Sequence, residues 1–281
     1  MPDPRDAKTD RPDDVYSRVD YRRLIAWPSR LAREAPFLRS LFAGAPARSI
    51  VDLGCGTGEH TRFFASEGYR ALGIDRSESM IAKATEAPLP SETAFKLADL
   101  LDLGRIEADP FGGAICLGNT LVHVVEDEDL RRVLAGIRRL ILPGGVLLIQ
   151  ILNYERIASK GIRNLPLNFR ESDDGEIVFL RLMEPLGGGR VRFCPTTLLY
   201  NPKDDPPVRV VQTRLVEIRG WIREEIVRAL SETGFRARSV YGDMAGGSYE
   251  PEVSADLVIV AAAETAGDPK RTEPKQGGVV S

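Results

Sequence analysis

Histidine and cysteine are scarce in this 281-residue chain, which has only His60 and His123, and Cys55, Cys116 and Cys194. Neither set has metal-ligand spacing, and an odd number of scattered cysteines points away from a disulfide framework. No bound metal is expected, and the chain reads as a reduced, cytoplasmic protein. Long apolar runs are missing too: the longest candidate, Gly145 to Leu152, has the length of a strand, far short of a bilayer span. The opening residues, Met1-Pro-Asp-Pro-Arg-Asp, lack the apolar segment of a secretory signal. No charge of one sign dominates either, with 38 basic and 41 acidic residues and a net charge of −3. That balance exerts no general pull on nucleic acid or an anionic membrane, and neither is expected as a partner.

What is present is ordinary globular material, with 43% hydrophobic and 28% charged residues, enough for a sizeable core. Residues 1–14 are rich in Asp, Pro, Arg and Lys, residues 264–281 in Gly, Pro, Lys and Thr, and both read as disordered tails. Between them, Ser49–Leu53, Tyr69–Ile74, Ala94–Leu97, Ala114–Leu117 and Val146–Leu152 are short runs rich in Ile, Leu and Val. Such runs suit strands buried on both faces of a parallel sheet. Helical patterns separate them. The clearest spans Glu126 to Ile141, with acids in its first turn, arginines in its last, and Pro143-Gly144-Gly145 beyond. Alternating βα units predict a doubly wound α/β domain.

The alternation breaks after about Asn164. Strand-like runs at Glu176–Met183, Arg190–Tyr200 and Val208–Ile218 are divided by Gly187-Gly-Gly189 and by Asn201-Pro-Lys-Asp-Asp-Pro-Pro207, both turn signals. They predict a small antiparallel β-sheet, residues 164–219, inserted into a domain made of 15–163 and 220–263. A helix around Ile222 to Leu230 and strands Ala237–Tyr241 and Asp256–Ala261 then close the fold. Before the first strand, Tyr16 to Phe42 predicts two short helices, because Pro36 should kink or split the pattern.

Chemistry concentrates where the first strand ends. Val51-Asp-Leu-Gly54-Cys55-Gly56-Thr-Gly58 is a strand, a glycine turn and a helix start, which lets a ligand approach the free amides of a helix N-terminus. Asp75 ends the next strand, seventeen residues after Gly58, where an acid can accept hydrogen bonds from ribose hydroxyls. Its alternative is an N-cap for the helix starting near Ser77. The spacing is G-x-G-x-G rather than the dinucleotide G-x-G-x-x-G. Asp52 sits just before the first glycine; a negative charge there is unfavourable beside a phosphate and favourable beside a sulfonium or ammonium. That favours S-adenosyl-L-methionine (SAM) over NAD.

These residues resemble motif I of the class I SAM-dependent methyltransferases. Leu97-Ala-Asp99-Leu100-Leu is similar to the segment after that family's third strand, Ala114-Ile-Cys-Leu117-Gly118-Asn119 to its fourth-strand motif, and Leu142-Pro-Gly-Gly-Val-Leu147 to its fifth-strand turn. The resemblance is dense over residues 45–152. It implies a Rossmann-like, mostly parallel sheet of seven strands with the last antiparallel, and SAM as cofactor. The cofactor-binding set it implies is Asp52, Gly54, Cys55, Gly56, Gly58, Asp75, Arg76, Asp99, Leu100 and Leu117, with Asp99 at the adenine amino group.

A narrower resemblance is to the glycine N-methyltransferases. Cys116-Leu-Gly-Asn119-Thr-Leu-Val-His123 is similar to their Cys-Leu-Gly-Asn-Ser-x-x-His, and Asn153-Tyr-Glu155 to their Asn-Tyr-Asp. Tyr241-Gly-Asp243-Met, followed by Tyr249 and Pro251, is similar to their Gly-Asp-Phe segment. Ser29-Arg30-Leu-Ala resembles the helix whose arginine binds the SAM carboxylate, which adds Arg30, with Tyr21 as a lid; a solvated arginine is the alternative for Arg30. One departure matters. Where those enzymes clamp the glycine carboxylate with an arginine before Asn-Tyr, this chain has Leu152. Glycine is therefore a doubtful acceptor, although Arg170, Arg181 or Arg192 of the insert could substitute.

The expected reaction is methyl transfer to a small-molecule acceptor, first of all an amine nitrogen, achieved mainly by positioning. O-methylation of a small hydroxyl or carboxylate is the runner-up, and a SAM-binding regulator without catalysis the third reading. Asn119 would orient the acceptor. His123 would serve as base for a hydroxyl, or else pack in the loop before the acidic helix. Phe169, Phe179, Phe193 and Tyr200 of the insert are expected to pack in its core rather than stack on bases. Assembly into a homo-oligomer is compatible with the sequence.

Overall fold

The computed structural model describes residues 25–265 and 275–276. The N-terminal tail, Tyr21 and most of the C-terminal tail lie outside the described residues. In the first half, β1 (Ser49–Leu53), α2 (Glu59–Ser66), β2 (Arg70–Asp75), α3 (Glu78–Thr85), β3 (Thr93–Leu97), β4 (Phe111–Cys116), α4 (Asp127–Leu140) and β5 (Ile141–Leu152) follow an opening helix α1 (Trp27–Phe42). A short helix α5 (Tyr154–Ser159) then leads into β6 (Asn168–Ser172), β7 (Gly175–Gly187), β8 (Arg190–Tyr200), β9 (Val208–Thr213) and β10 (Val216–Arg219). Helix α6 (Arg223–Glu232), β11 (Phe235–Tyr241) and β12 (Asp256–Ala263) complete the chain of elements, with the two-residue β13 (Lys275–Gln276) beyond.

The main sheet runs β3-β2-β1-β4-β5-β12-β11, with β13 paired outside β11. Strands β1 to β5 pair in parallel, while β12 is antiparallel to both of its neighbours. This is the mostly parallel, seven-stranded Rossmann-like sheet expected, and β13 adds a parallel pairing of Lys275 and Gln276 with Ser239 and Val240. The strand order reverses direction between β1 and β4, which opens a crevice at the carboxyl ends of the strands.

Period-two burial explains why this sheet is covered on both faces. Val51, Leu53, Ala114, Cys116, Leu147, Ile149, Leu257 and Ile259 belong to one core. The alternate residues Ile50, Ile115, Leu148, Val258 and Val260 belong to a second core with Leu38 and Phe42 of α1 and Phe64 of α2. Asp52, two residues after Ile50, falls on the face covered by α1 and α2.

The predicted split at Pro36 does not occur. Helix α1 runs unbroken from Trp27 to Phe42 with Pro36 inside it. Pro36 removes one backbone donor, but Ala35, Leu38 and Phe42 on the same helix are buried, and that tertiary packing overrides the local penalty. The predicted strand Val208–Ile218 is also two strands: β9 pairs with one stretch of β8 (Thr196–Tyr200) and β10 with another (Arg190–Phe193). With β6, which the sequence reading missed, they form a second, antiparallel sheet ordered β10-β8-β7-β6, β9 pairing with β8.

Candidate active site

The glycine turn after β1 is held by the end of β2. The amides of Gly54 and Cys55 donate to Ile74 O at 2.7 and 3.0 Å. Asp75 then divides its carboxylate: Oδ2 accepts from Gly56 N at 2.8 Å and Oδ1 from Ser77 N at 2.9 Å. The helix cap is Ser77 itself, whose hydroxyl accepts from Met80 N at 3.2 Å. Burial pushes the Asp75 carboxyl above the usual range, opposed by its amide donors.

The three glycines have different reasons to be glycine. Gly56, at φ +55°, would carry a Cβ into open space, and it lines a cavity of about 320 Å³. A Cβ on Gly54 would strike Thr120 at 2.3 Å, and one on Gly58 would strike the Phe95 ring at 2.5 Å. Gly58 is thus a packing position, and it does not line the cavity.

The same cavity brings together most of the residues implied by the methyltransferase resemblance. Asp52, Gly54, Cys55 and Gly56 line it from the first loop, Asp75 and Arg76 from the end of β2. Asp99 and Leu100 line it from the turn after β3, and Leu117 from the end of β4. Asp99 caps that turn by accepting from Leu101 N at 2.9 Å, and Arg76 stands 3.9 Å from its other oxygen. Asp52 is buried and accepts from Thr61 Oγ1 at 2.7 Å; burial raises its pKa. Burial also drives the thiols of Cys55 and of the β4 core residue Cys116 up, Cys116 to about 12.

Arg30 is not a solvated arginine. Its Nε donates to Glu34 Oε1 at 2.8 Å, its guanidinium carbon lies 4.9 Å above the Trp27 ring, and it lines the cavity. Glu34 reaches His60 Nε2 with its other oxygen, and His60 packs edge-on against Trp27. Burial raises the Glu34 carboxyl, but the His60 hydrogen bond and the Arg30 charge outweigh it and hold the group below its ordinary value. Trp27, Glu34 and His60 were missed in the sequence; spacing of three and four residues from Arg30 on one helix was the available signal for the first two.

A second cavity, of about 840 Å³, opens between the two sheets. Ile25, Arg30, Gly118 and His123 line both cavities, so the two meet there. Asn119 borders only the larger one, and its side chain is already engaged. Its Oδ1 accepts from Leu152 N at 3.0 Å, and its Nδ2 donates to the Tyr154 hydroxyl at 3.0 Å. Asn119 also holds φ +66°, a conformation uncommon outside glycine. Gln150, another residue the sequence reading passed over, links Gly118 N to Asp256 through its two amide ends. His123 is pushed down to about 4, mainly by burial and further by the charges of Arg76 and Arg214, so its imidazole is neutral near pH 7.

Of the substitute arginines, Arg170 and Arg181 line the larger cavity, whereas Arg192 pairs with Glu184 away from it. Arg214 lines it too, unforeseen. Leu152 lines it at the position where the resemblance has the carboxylate clamp. The insert aromatics divide: Phe179 and Phe193 face the cavity, while Phe169 and Tyr200 are exposed rather than packed.

The residues present suit a nucleoside bearing a cationic amino-acid tail. An open approach at Gly56, carboxylates at positions 52, 75 and 99, and a guanidinium at Arg30 supply donors and acceptors of the required kinds. The Trp27 indole N–H is buried beside them with no hydrogen-bond partner among the described residues. A seven-stranded sheet of this order with such a crevice is the architecture expected of a SAM-dependent methyltransferase. Residues 50–145 match the family described as a methyltransferase domain. The chain is similar to the glycine/sarcosine N-methyltransferase of Parasynechococcus marenigrum (strain WH8102), 29% identical over 82% of this chain and 77% of the relative. It is also 26% identical to the dTDP-4-amino-2,3,4,6-tetradeoxy-D-glucose N,N-dimethyltransferase of Saccharopolyspora spinosa, over 82% of this chain and 87% of that one. Its fold is like that of SAM-bound CalS10, an amino pentose methyltransferase from Micromonospora echinaspora, with TM-score 0.64, 19% identity and 85% and 92% of the two chains covered. The matched domain and these relatives make the chain a SAM-dependent methyltransferase, similar in sequence to glycine and glycine/sarcosine N-methyltransferases.

Proposed function

We propose that this enzyme methylates an amine nitrogen of a small molecule, chiefly by positioning it. One observation carries the reading: the cofactor-side cavity and the larger cavity share Ile25, Arg30, Gly118 and His123, so donor and acceptor held in the two would meet at that border. Bound SAM supplies an electrophilic methyl on a sulfonium. With SAM held by Arg30, Asp75 and the Gly54–Gly56 turn, an acceptor nitrogen at the border would take that methyl with its lone pair, the sulfonium's bonding pair staying on sulfur and the amine proton passing to water.

In this reading Arg30, set by Glu34, holds the cofactor carboxylate, and Asp75 carries both the ribose and the loop that cradles it. Asn119 fixes the border by tying Gly118 and Leu152 to Tyr154. His123, neutral with a pKa of about 4, is too weak a base to activate a hydroxyl, but it can accept or donate one hydrogen bond to an amine. The second sheet, residues 164–219, acts as a cover over the acceptor. The relatives named above are themselves N-methyltransferases, which agrees with nitrogen as the acceptor atom. The test is incubation with methyl-labelled SAM and a panel of amines, amino acids and phenols. Label on nitrogen is expected. Label found only on oxygen, or tight SAM binding with no label on any acceptor, sinks the reading.

A further inference from the structure

Asp256 opens β12 and stands in register with Leu152, the last residue of β5. Neighbours in register present their side chains to the same face of a sheet, and Gln150, two residues before Leu152, shares that face. All three line the larger cavity. Gln150 binds with both ends of its amide: Oε1 accepts from Gly118 N at 2.7 Å, and Nε2 donates to Asp256 Oδ1 at 3.0 Å. Two hydrogen bonds across a single amide keep Asp256 Oδ1 within about 8 Å of Gly118 N. Gly118 lines both cavities, so Asp256 stands close to the border where they meet.

The second oxygen of Asp256 is left open. Oδ2 accepts no hydrogen bond from the described residues, and Leu152 beside it is aliphatic and offers no charge. The other acids of this cavity are committed elsewhere. Glu34 gives one oxygen to Arg30 and one to His60, and Asp243 Oδ1 accepts from Ala245 N and Gly247 N. Arg30 acts on Asp256 through its charge, but its Nε is held by Glu34. Burial raises the Asp256 carboxyl above its ordinary range, against the Gln150 hydrogen bond and the Arg30 charge. A carboxylate with one bare oxygen in a partly desolvated cavity gains most from an N–H donor that carries positive charge.

Resting on the proposed transfer to nitrogen, we infer that Asp256 accepts a hydrogen bond from a primary or secondary amine acceptor and stabilises the positive charge its nitrogen gains. As the lone pair of that nitrogen closes on the methyl carbon, the bonding pair stays with sulfur. One unit of positive charge therefore leaves sulfur and arrives on nitrogen, and the new ammonium later gives a proton to water. A carboxylate on the acceptor side interacts more strongly after this shift than before it, which is the condition for accelerating the step. The same contact selects the acceptor atom. An amine keeps an N–H for Oδ2 while it attacks, whereas a hydroxyl must give up its one proton to become a strong nucleophile, and its ether product is neutral. Asp256 thus supplies a preference for nitrogen over oxygen that positioning alone does not.

S-adenosylhomocysteine together with an ammonium ion reproduces the charges left after transfer, so the test reads binding rather than turnover. Protein saturated with S-adenosylhomocysteine is titrated calorimetrically with methylamine, cyclohexylamine and benzylamine, and with methanol, cyclohexanol and benzyl alcohol. At least one amine should bind more tightly than its matching alcohol, by roughly tenfold or more. D256N should bring that amine down to the level of the alcohol, with S-adenosylhomocysteine affinity unchanged. E252Q, which removes an equal charge from the turn before β12 and outside the cavity, should keep the preference. If no amine binds the wild-type complex more tightly than its alcohol, the inference is overturned, as it is by a preference that survives D256N. If D256N does not fold, D256S decides the matter. The two readings fail separately. Methyl label on nitrogen with a titration indifferent to Asp256 removes this contact alone, whereas label only on oxygen removes nitrogen as the acceptor atom and this contact with it.

Discussion

His60 Nε2 lies 2.8 Å from Glu34 Oε2, with the two side chains 7% and 3% exposed. The same carboxylate holds Arg30 at 2.8 Å, so one buried acid orients both a cavity arginine and the helix that follows the glycine turn. Removing its charge leaves a part-buried guanidinium without its counter-ion and the buried His60 ring with a weaker partner, which is costlier than losing an exposed pair. The expectation for Glu34→Gln is a SAM affinity lower by about tenfold, equivalent to roughly 1.4 kcal/mol, and a reduced Tm. Calorimetric titration with SAM checks it, and wild-type affinity in the variant would remove Arg30 from the cofactor site.

Asp75 gives a sharper loss. Both of its oxygens hold backbone amides, those of Gly56 and Ser77, so Asp75→Ala releases the loop and deletes the proposed ribose partner together. SAM binding should fall by roughly a hundredfold, or about 2.7 kcal/mol, while circular dichroism remains that of a folded protein. Unchanged affinity would show that the cofactor lies elsewhere.

The glycines separate binding from packing. Gly56→Ala meets open space at φ +55°, so it should cost about 1 kcal/mol of strain and weaken SAM binding, because the methyl stands in the approach to the loop. Gly58→Ala drives a methyl into Phe95 at φ +85°. It should lower stability by about 2–4 kcal/mol through strain and overpacking, with less effect on SAM affinity in whatever remains folded. Urea unfolding and SAM titration on both variants would reveal the opposite ranking if Gly58 were a ligand contact.

Much of this was legible in the sequence because it is local. The β1 strand, the glycine turn and Asp75 are neighbours in sequence or one βα unit apart, and the turn chemistry is written in glycines. Longer-range features were hidden. Pro36 argued for a break that burial of Leu38 and Phe42 overrides. Val208–Ile218 looked like one strand, since no proline or glycine marks where β9 passes to β10. Arg214 gave no sign of its position, because only pairing of β8 with its partners brings it beside Pro195 and Arg181. The role of Asn119 was half visible: its motif was plain, but its partners Leu152 and Tyr154 lie more than thirty residues away.

His123 makes a prediction in pH. Its folded pKa of about 4 lies below the ordinary 6.5, so between those values the unfolded chain binds more protons. Stability must then fall as pH drops from about 6.5 to about 4, by up to roughly 3 kcal/mol. Burial raises the carboxyls of Asp52, Asp75 and Asp256, and these act in the opposite sense, so the difference between proteins is the clean quantity. His123→Gln should lose stability less steeply than wild type over this window, measured by urea unfolding at intervals of half a pH unit. It should also keep most of its turnover with an amine acceptor, since no proton transfer to the imidazole is required. A fall in kcat of a thousandfold or so would instead mark a base.

Asn119 combines strain with structure, and the two parts can be separated. Alanine there keeps the unfavourable φ of +66° while losing the bonds to Leu152 N and the Tyr154 hydroxyl. Glycine loses the same bonds but adopts that φ freely. Asn119→Ala should therefore cost about 2–3 kcal/mol, and Asn119→Gly about 1 kcal/mol less. Because Asn119 borders the larger cavity and not the cofactor-side one, both variants should lower kcat for the acceptor far more than they weaken SAM binding. Equal losses in the two would mean that the loop after β4 is a cofactor contact first and an acceptor border second.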